Sequence, residues 1–216
     1  MKKTAQDVRA FFERVAADWD DMRLAYYDER VIERMVEISG VDGATTVADV
    51  GTGTGFVAAG VAPWAGRIVA VDNSRAMLDV ARANLGALGL TNVELVEGEV
   101  TALPLASDSV DAAFANMVMH HAEEPAAVLQ EMARVVKPGG SVAVVDAVEH
   151  GYEWMREEHA DIWLGFGREQ IEGLFGAVGL EKSGYESLGM QCCIRSTTSG
   201  EVADIGIFAA WGIVPA

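Results

Sequence analysis

Cysteine is nearly absent from this chain of 216 residues, which holds two, Cys192 and Cys193, side by side. Adjacent cysteines cannot staple a small fold, and a disulfide between neighbours is strained. Two reduced thiols are therefore expected, with one side chain buried. Basic residues are also scarce. Sixteen Lys and Arg stand against 33 Asp and Glu, a formal net charge of −17, and no Lys/Arg cluster offsets it. Such a field repels phosphate backbones and anionic bilayers, so neither nucleic acid nor a membrane is expected as a partner. The sequence has no run of eighteen apolar residues, and no basic segment leading into an apolar one. The expected compartment is the cytoplasm. Half of the residues are hydrophobic, enough for a sizeable core in one domain.

What is present changes character along the chain. Residues 5–39 read as helical, with Val8, Phe11, Phe12 and Val15 at helical spacing. A second helix carries Val31, Met35 and Ile38 and stops at Gly40. The Asp- and Tyr-rich stretch WDDMRLAYYDE between them reads as a bend. From residue 45, short apolar runs alternate with amphipathic segments. Strands are expected at 45–50, 67–72, 93–98, 110–116 and 141–147, with helices at 55–63, 74–88 and 125–136. Near-continuous apolar strands alternating with helices imply a parallel sheet buried on both faces. The end differs: a last helix over 168–178, then strands at 181–188 and 203–211. The stretch LGMQCCIRSTTSGE between them reads as a long or irregular connection in an antiparallel hairpin.

The strongest motif is VADVGTGTG, residues 47–55. A strand ends at Val50, and Gly51, Gly53 and Gly55 form a turn that opens a helix. Glycine is required where backbone turns sharply and a ligand approaches it without a Cβ between. Asp49 precedes the first glycine by two residues. Asp72 ends the next strand, where a carboxylate can accept both ribose hydroxyl hydrogens of an adenosine group.

These motifs, with EGEVTALPLASDSVDAAFAN and MARVVKPGGSVAVVD in order behind them, resemble the class I S-adenosylmethionine (SAM)-dependent methyltransferases over residues 45–146. The resemblance implies a doubly wound α/β fold: a mostly parallel seven-stranded Rossmann-like sheet, an antiparallel C-terminal strand and N-terminal cap helices. It divides the chain into a helical cap, residues 1–40, and a SAM-binding domain, residues 41–216. It also implies site roles. Gly51, Gly53 and Gly55 let backbone pass under the methionine part of SAM, and Asp49 orients that loop and the bound amino group. Asp72 holds the ribose, with Asn73 and Met77 flanking the adenine. Glu99 and Val100 meet the adenine edge, although relatives often carry Asp where Glu99 stands. Asn116 faces the methionine group, and Tyr26 or Tyr27 closes over it. The flanks FFERVAADWDDMR and HADIWLGFGREQIEGLFGAVGL resemble methyltransferase domains fused to ArsR-type repressors, without the repressor portion.

SAM carries its own activated methyl group, so the protein mainly aligns an acceptor and excludes water. The expected reaction is methyl transfer to a small-molecule acceptor, releasing S-adenosylhomocysteine. His120 and His121, after the fourth strand, are the candidate proton acceptors. No metal ligand is assigned: histidines and carboxylates as dense as Asp146, Glu149, His150, Glu153, Glu157, Glu158, His159 and Asp161 could bind a metal or a cationic substrate, but a solvated acidic helix face accounts for most of them. Trp154, Trp163 and Phe166 could line an acceptor pocket, but aromatic residues at helical spacing are more often core. The alternatives are a non-catalytic SAM-binding or regulatory module, a metalloid (arsenite) methyltransferase using Cys192 and Cys193, and a nicotinamide-dependent dehydrogenase. The N-terminal helices or the last strand could supply a homodimer contact.

Overall fold

The computed structural model describes residues 3–216. One seven-stranded sheet has the order β3-β2-β1-β4-β5-β7-β6. The strands are β1 (Thr46–Val50), β2 (Arg67–Asp72), β3 (Val93–Glu97), β4 (Val110–Asn116), β5 (Val136–Ala147), β6 (Glu181–Arg195) and β7 (Val202–Ile213). β1 to β5 pair in parallel, while β7 runs antiparallel to both β5 and β6. The chain reverses direction beside β1, so the strand C-termini open into a crevice between β1 and β4, where ligands of doubly wound sheets bind.

The helices are α1 (Ala5–Val15), α2 (Trp19–Arg23), α3 (Arg30–Ser39), α4 (Phe56–Val61), α5 (Arg75–Ala87), α6 (Pro125–Val135), α7 (Met155–Glu158) and α8 (Arg168–Ala177). A 3-10 turn spans Met119–His121. The strands are apolar because each sheet face is covered. Ile68, Phe114 and Val145 point to one face with Met35 of α3, and Val50, Val69 and Val144 to the other with Leu129 of α6. At about 25 cal/mol per Å² of buried apolar area, this double burial is the main source of stability. Helix starts follow local chemistry. Thr4 and Asp7 close a reciprocal cap on α1, and the Ser74 hydroxyl accepts the Met77 amide at the start of α5.

Four expectations are corrected. First, the Asp- and Tyr-rich bend contains the short helix α2. Second, the stretch expected as a loose connection is ladder: β6 runs on to Arg195, pairing Cys192 with Ile205 and Cys193 with Asp204. Only residues 196–201 connect it to β7, and the irregularity is a register shift between Ser187 and Gln191. That shift breaks the alternation that would have announced the strand; beyond it MQCCIR resumes the pattern, burying Met190, Cys192 and Ile194 and exposing the residues between. Third, β7 is an interior strand with both edges paired, so it has no free edge for a second copy; β6 is the edge. Fourth, the acidic face is not uniformly solvated. Glu149, Glu153 and Glu157 are exposed, but Asp146 and Asp161 are buried, and only Met155–Glu158 is helical. The thiols are free, Cys192 buried and Cys193 exposed.

Candidate cofactor and acceptor site

A cavity of about 420 Å³ opens at the C-terminal ends of β1, β2 and β4, within the usual range for small-molecule pockets of about 300–1,000 Å³. One end is built by the turn after β1. Gly51 has φ +72°, and a Cβ there would stand 2.5 Å from the Val118 side chain. Only glycine fits that backbone without strain. Asp72, at the end of β2, accepts the Gly53 amide at 2.8 Å and the Ser74 amide at 2.8 Å. It thereby ties the glycine turn to the start of α5. Burial nonetheless raises its pKa, while these amides pull the other way. A carboxylate has about four lone-pair positions, so two amides leave room for hydroxyl donors. Asn73, Met77, Glu99 and Val100 line this end too, with the Asn73 side-chain amide 2.8 Å from Glu99 Oε2.

Asn116, the last residue of β4, is buried and lines the cavity, and its Oδ1 has no hydrogen-bond partner. An orphaned buried acceptor costs about 1–3 kcal/mol; a cationic amino group entering the cavity would satisfy it. Met117 follows with φ +55°, a conformation that L residues other than Asn and Asp adopt at some cost. Its amide donates to the Val145 carbonyl at 2.8 Å, which holds the chain there.

The other end is roofed by the N-terminal helices. Ala5, Val8 and Phe12 of α1, Trp19 of α2, Tyr27 and Phe56 line the cavity. Phe12 meets Trp19 edge-on at 5.3 Å and His121 at 4.9 Å. Asp20 fastens α2 to the glycine turn, accepting from the Thr54 hydroxyl at 2.6 Å and the Asn84 amide at 2.8 Å. α1 is held by its Ala5 amide on Glu123 at 2.6 Å.

The two histidines differ. His120 lies outside this cavity, its Nδ1 2.6 Å from Asp146 Oδ1. Burial disfavours its charge, but Asp146, their hydrogen bond and Asp161 outweigh that and push the pKa to about 9. His121 lines the cavity, and burial beside charged His120 holds its pKa well below the ordinary value. It is therefore neutral at neutral pH, as a proton acceptor must be.

Of the residues expected at the site, the structure brings Gly51, Gly53, Asp72, Asn73, Met77, Glu99, Val100, Asn116, Tyr27 and His121 to the cavity wall. Asp49, Gly55, Tyr26 and His120 stand outside that wall. Asp49 lies behind the glycine turn, accepting from the Thr52 hydroxyl at 2.6 Å and the Ala58 amide at 3.0 Å. Its burial raises the pKa to about 7. Gly55, with φ +88°, starts α4 against Ala81 and Leu85. Tyr26 turns away, its hydroxyl 2.7 Å from His159 Nδ1. Phe12, Trp19, Phe56 and Met117 were missed, being indistinguishable in sequence from ordinary core residues. Trp163 and Phe166 stack on each other at 6.0 Å, and like Trp154 they lie outside the cavity wall, as core residues would.

The sheet order, the glycine turn and the carboxylate at the end of β2 define the class I SAM-dependent methyltransferase fold, whose cofactor is S-adenosylmethionine. Comparison with known proteins agrees: residues 48–144 match the family described as a methyltransferase domain. The arsenite methyltransferase of Halobacterium salinarum is 38% identical over 107 residues, covering 48% of this chain and 27% of its own. The demethylmenaquinone methyltransferase of Renibacterium salmoninarum is 31% identical over 149 residues, 68% of this chain and 61% of its own. Among solved structures, that of the 4+2 cyclase SpnF superposes with a TM-score of 0.80 at 19% identity, covering 99% of this chain and 97% of the other. The chain spans 27%, 47% and 46% of the length of the first three curated relatives it matches.

Proposed function

We propose that this protein is an enzyme transferring the methyl group of SAM to a small-molecule acceptor. The observation that carries the reading is one cavity with two differently built ends. The first end offers the features an adenosyl cofactor needs: a glycine turn, the Asp72 carboxylate and the orphaned Asn116 Oδ1. The second is roofed by Phe12, Trp19 and Tyr27, leaving space for a small molecule and little for a macromolecule. When bound, SAM supplies a methyl group already activated on a sulfonium. Asp72 then accepts the ribose hydroxyls, Asn116 accepts from the cofactor's amino group, and the aromatic roof excludes water. His121 takes a proton if the acceptor has one to lose. His120, held by Asp146, positions it through their ring contact at 4.0 Å.

The roof is read as a cap of the kind carried by methyltransferase domains fused to ArsR-type repressors. The net charge of −17 supports an acceptor that is neither nucleic acid nor membrane, and the two free thiols support a cytoplasmic setting. Among the described residues no helix is long and apolar enough to cross a membrane. Arsenite as acceptor is disfavoured, because only Cys192 faces inward and Cys193 is exposed. A dehydrogenase is disfavoured by the antiparallel β7. One observation favours a second reading, without methyl transfer: the fold is shared with a protein described as a cyclase. Incubation with SAM labelled at the methyl group and a panel of small hydroxyl-, amine- and carbon-acid acceptors decides between them. Label transfer with release of S-adenosylhomocysteine supports the enzyme. Tight SAM binding without transfer to any acceptor supports the reading without methyl transfer.

A further inference from the structure

A second, buried cavity of about 20 Å³ lies beyond the acceptor end of the first. Trp19, Tyr27, Met117 and His121 line both. That volume admits about one water-sized occupant. All four histidines of the chain, His120, His121, His150 and His159, border it. So does Asp161, which is 2% exposed and whose Oδ1 has no hydrogen-bond partner. A buried carboxylate oxygen without a donor is expensive, and a partner in direct contact with it is missing, the nearest cationic group, His120, standing 3.9 Å away.

The geometry around that oxygen says what. His120 points Nδ1 at Asp146 at 2.6 Å, and Asp146 is itself fixed by the Met119 amide at 3.0 Å and the Ala147 amide at 2.7 Å. This leaves Nε2 facing the cavity, 3.9 Å from Asp161 Oδ1, too far for a hydrogen bond. His121 Nδ1 stands 4.0 Å from the same oxygen. Its other contact, with the Ala160 carbonyl, is long at 3.3 Å, so little is lost by replacing it. One donor atom from each of the three residues lies within 4.8 Å of the others. A histidine whose far nitrogen is held by a buried carboxylate is the arrangement found behind metal-ligating imidazoles.

We propose that His120, His121 and Asp161 bind one divalent cation of the zinc class, with Asp146 as the outer partner of His120. Two imidazoles and a carboxylate are a ligand set for zinc with one position open. Bonds of about 2.0–2.1 Å place tetrahedral neighbours about 3.4 Å apart, so the two Asp161 pairs at 3.9 and 4.0 Å close by roughly half an ångström and a pair at the 4.8 Å limit by about 1.4 Å. Met117 and His121 line both cavities, so the site adjoins the acceptor end of the larger one. The cation would therefore hold an acceptor oxygen or nitrogen there, in place of His121 as its activating group. This last point rests on the methyltransferase reading; the binding itself does not.

The test uses the full, untagged chain stripped with a chelator and dialysed against zinc, with cobalt(II) as the spectroscopic probe. One equivalent of zinc per chain, and a visible cobalt spectrum of low-symmetry, nitrogen–oxygen type, are expected. Asp161→Asn should weaken zinc binding at least about 100-fold and Asp146→Asn about 10- to 100-fold. Asp161→Asn should keep its affinity for S-adenosylhomocysteine and a cooperative thermal transition, which shows that the fold survives. Cys192→Ser, altering a thiol in the same cavity wall, should keep the full equivalent. No stoichiometric zinc or cobalt, undiminished binding by Asp161→Asn, or loss of metal in a folded Cys192→Ser protein would each overturn the site. Zinc binding without S-adenosylhomocysteine binding would sink the methyltransferase reading and leave the metal site standing.

Discussion

Replacing Asp72 by alanine removes two things at once, and they can be separated. In the free protein its carboxylate accepts the amides of Gly53 and Ser74, both at 2.8 Å. Leaving those donors unpaired costs about 1–3 kcal/mol, which for a domain of this size lowers Tm by a few degrees, on the order of 2–4 °C per kcal/mol. In the complex the same carboxylate accepts the ribose hydroxyls, and hydrogen bonds to a charged group contribute about 1.5–3 kcal/mol each. Losing them, partly offset by water entering the space, removes about 3–4 kcal/mol of binding. That is a fall of about 100- to 1000-fold in affinity. Calorimetric titration with S-adenosylhomocysteine measures the second effect and thermal unfolding the first. Asp72→Asn, which keeps one acceptor oxygen, should fall between wild type and Asp72→Ala. A folded Asp72→Ala protein that binds within about threefold of wild type would refute the placement of the ribose.

Three further outcomes are expected. Gly51→Ala forces a Cβ to 2.5 Å from Val118 at φ +72° and should lose about 1–3 kcal/mol, whereas Gly173→Ala in α8, with open space around it, should gain about 0.5–1 kcal/mol; equal changes in denaturant unfolding would contradict both. Phe12→Ala removes two edge-on ring contacts worth about 0.5–1.5 kcal/mol each, so S-adenosylhomocysteine should dissociate roughly 10-fold faster by stopped flow, and an unchanged rate would show that the roof does not retain the cofactor. In the metal-free protein the pKa of His120 is raised from about 6.5 unfolded to about 9, so its contribution to stability is full below about pH 6.5 and is lost as pH rises through 9; chelator-stripped wild type should lose stability relative to His120→Gln across that window, and parallel curves would deny the charged pair with Asp146.

The parallel half of the fold was readable because its inner strands are covered on both faces, which forces runs such as RIVAVD and VDAAFAN. The cofactor end was readable for a related reason. Backbone that must turn at positive φ requires glycine at Gly51 and Gly53, and a ribose requires a carboxylate at Asp72, so chemistry fixes identity and spacing. The acceptor end imposes no such rule. Phe12, Trp19 and Phe56 are there as bulk, and Tyr26 and Tyr27 differ only in which way the turn after α2 points them. The histidine cluster was hidden by distance along the chain. His120 and His121 follow β4, while Asp161 lies in an irregular segment about forty residues later. Nothing in the spacing announces that the 3-10 turn and the segment after α7 meet, with the Trp163 amide on the His120 carbonyl at 2.9 Å. β6 was misread past Ser187 because a register shift interrupts its alternation.

The central claim is that the cavity after β1 and β2 binds an adenosylated methionine. Calorimetric titration of the full chain with S-adenosylhomocysteine, with NAD as the control nucleotide, tests it most directly. The account predicts one site per chain of micromolar affinity for S-adenosylhomocysteine and no heat from NAD; binding of NAD in preference to S-adenosylhomocysteine would contradict it.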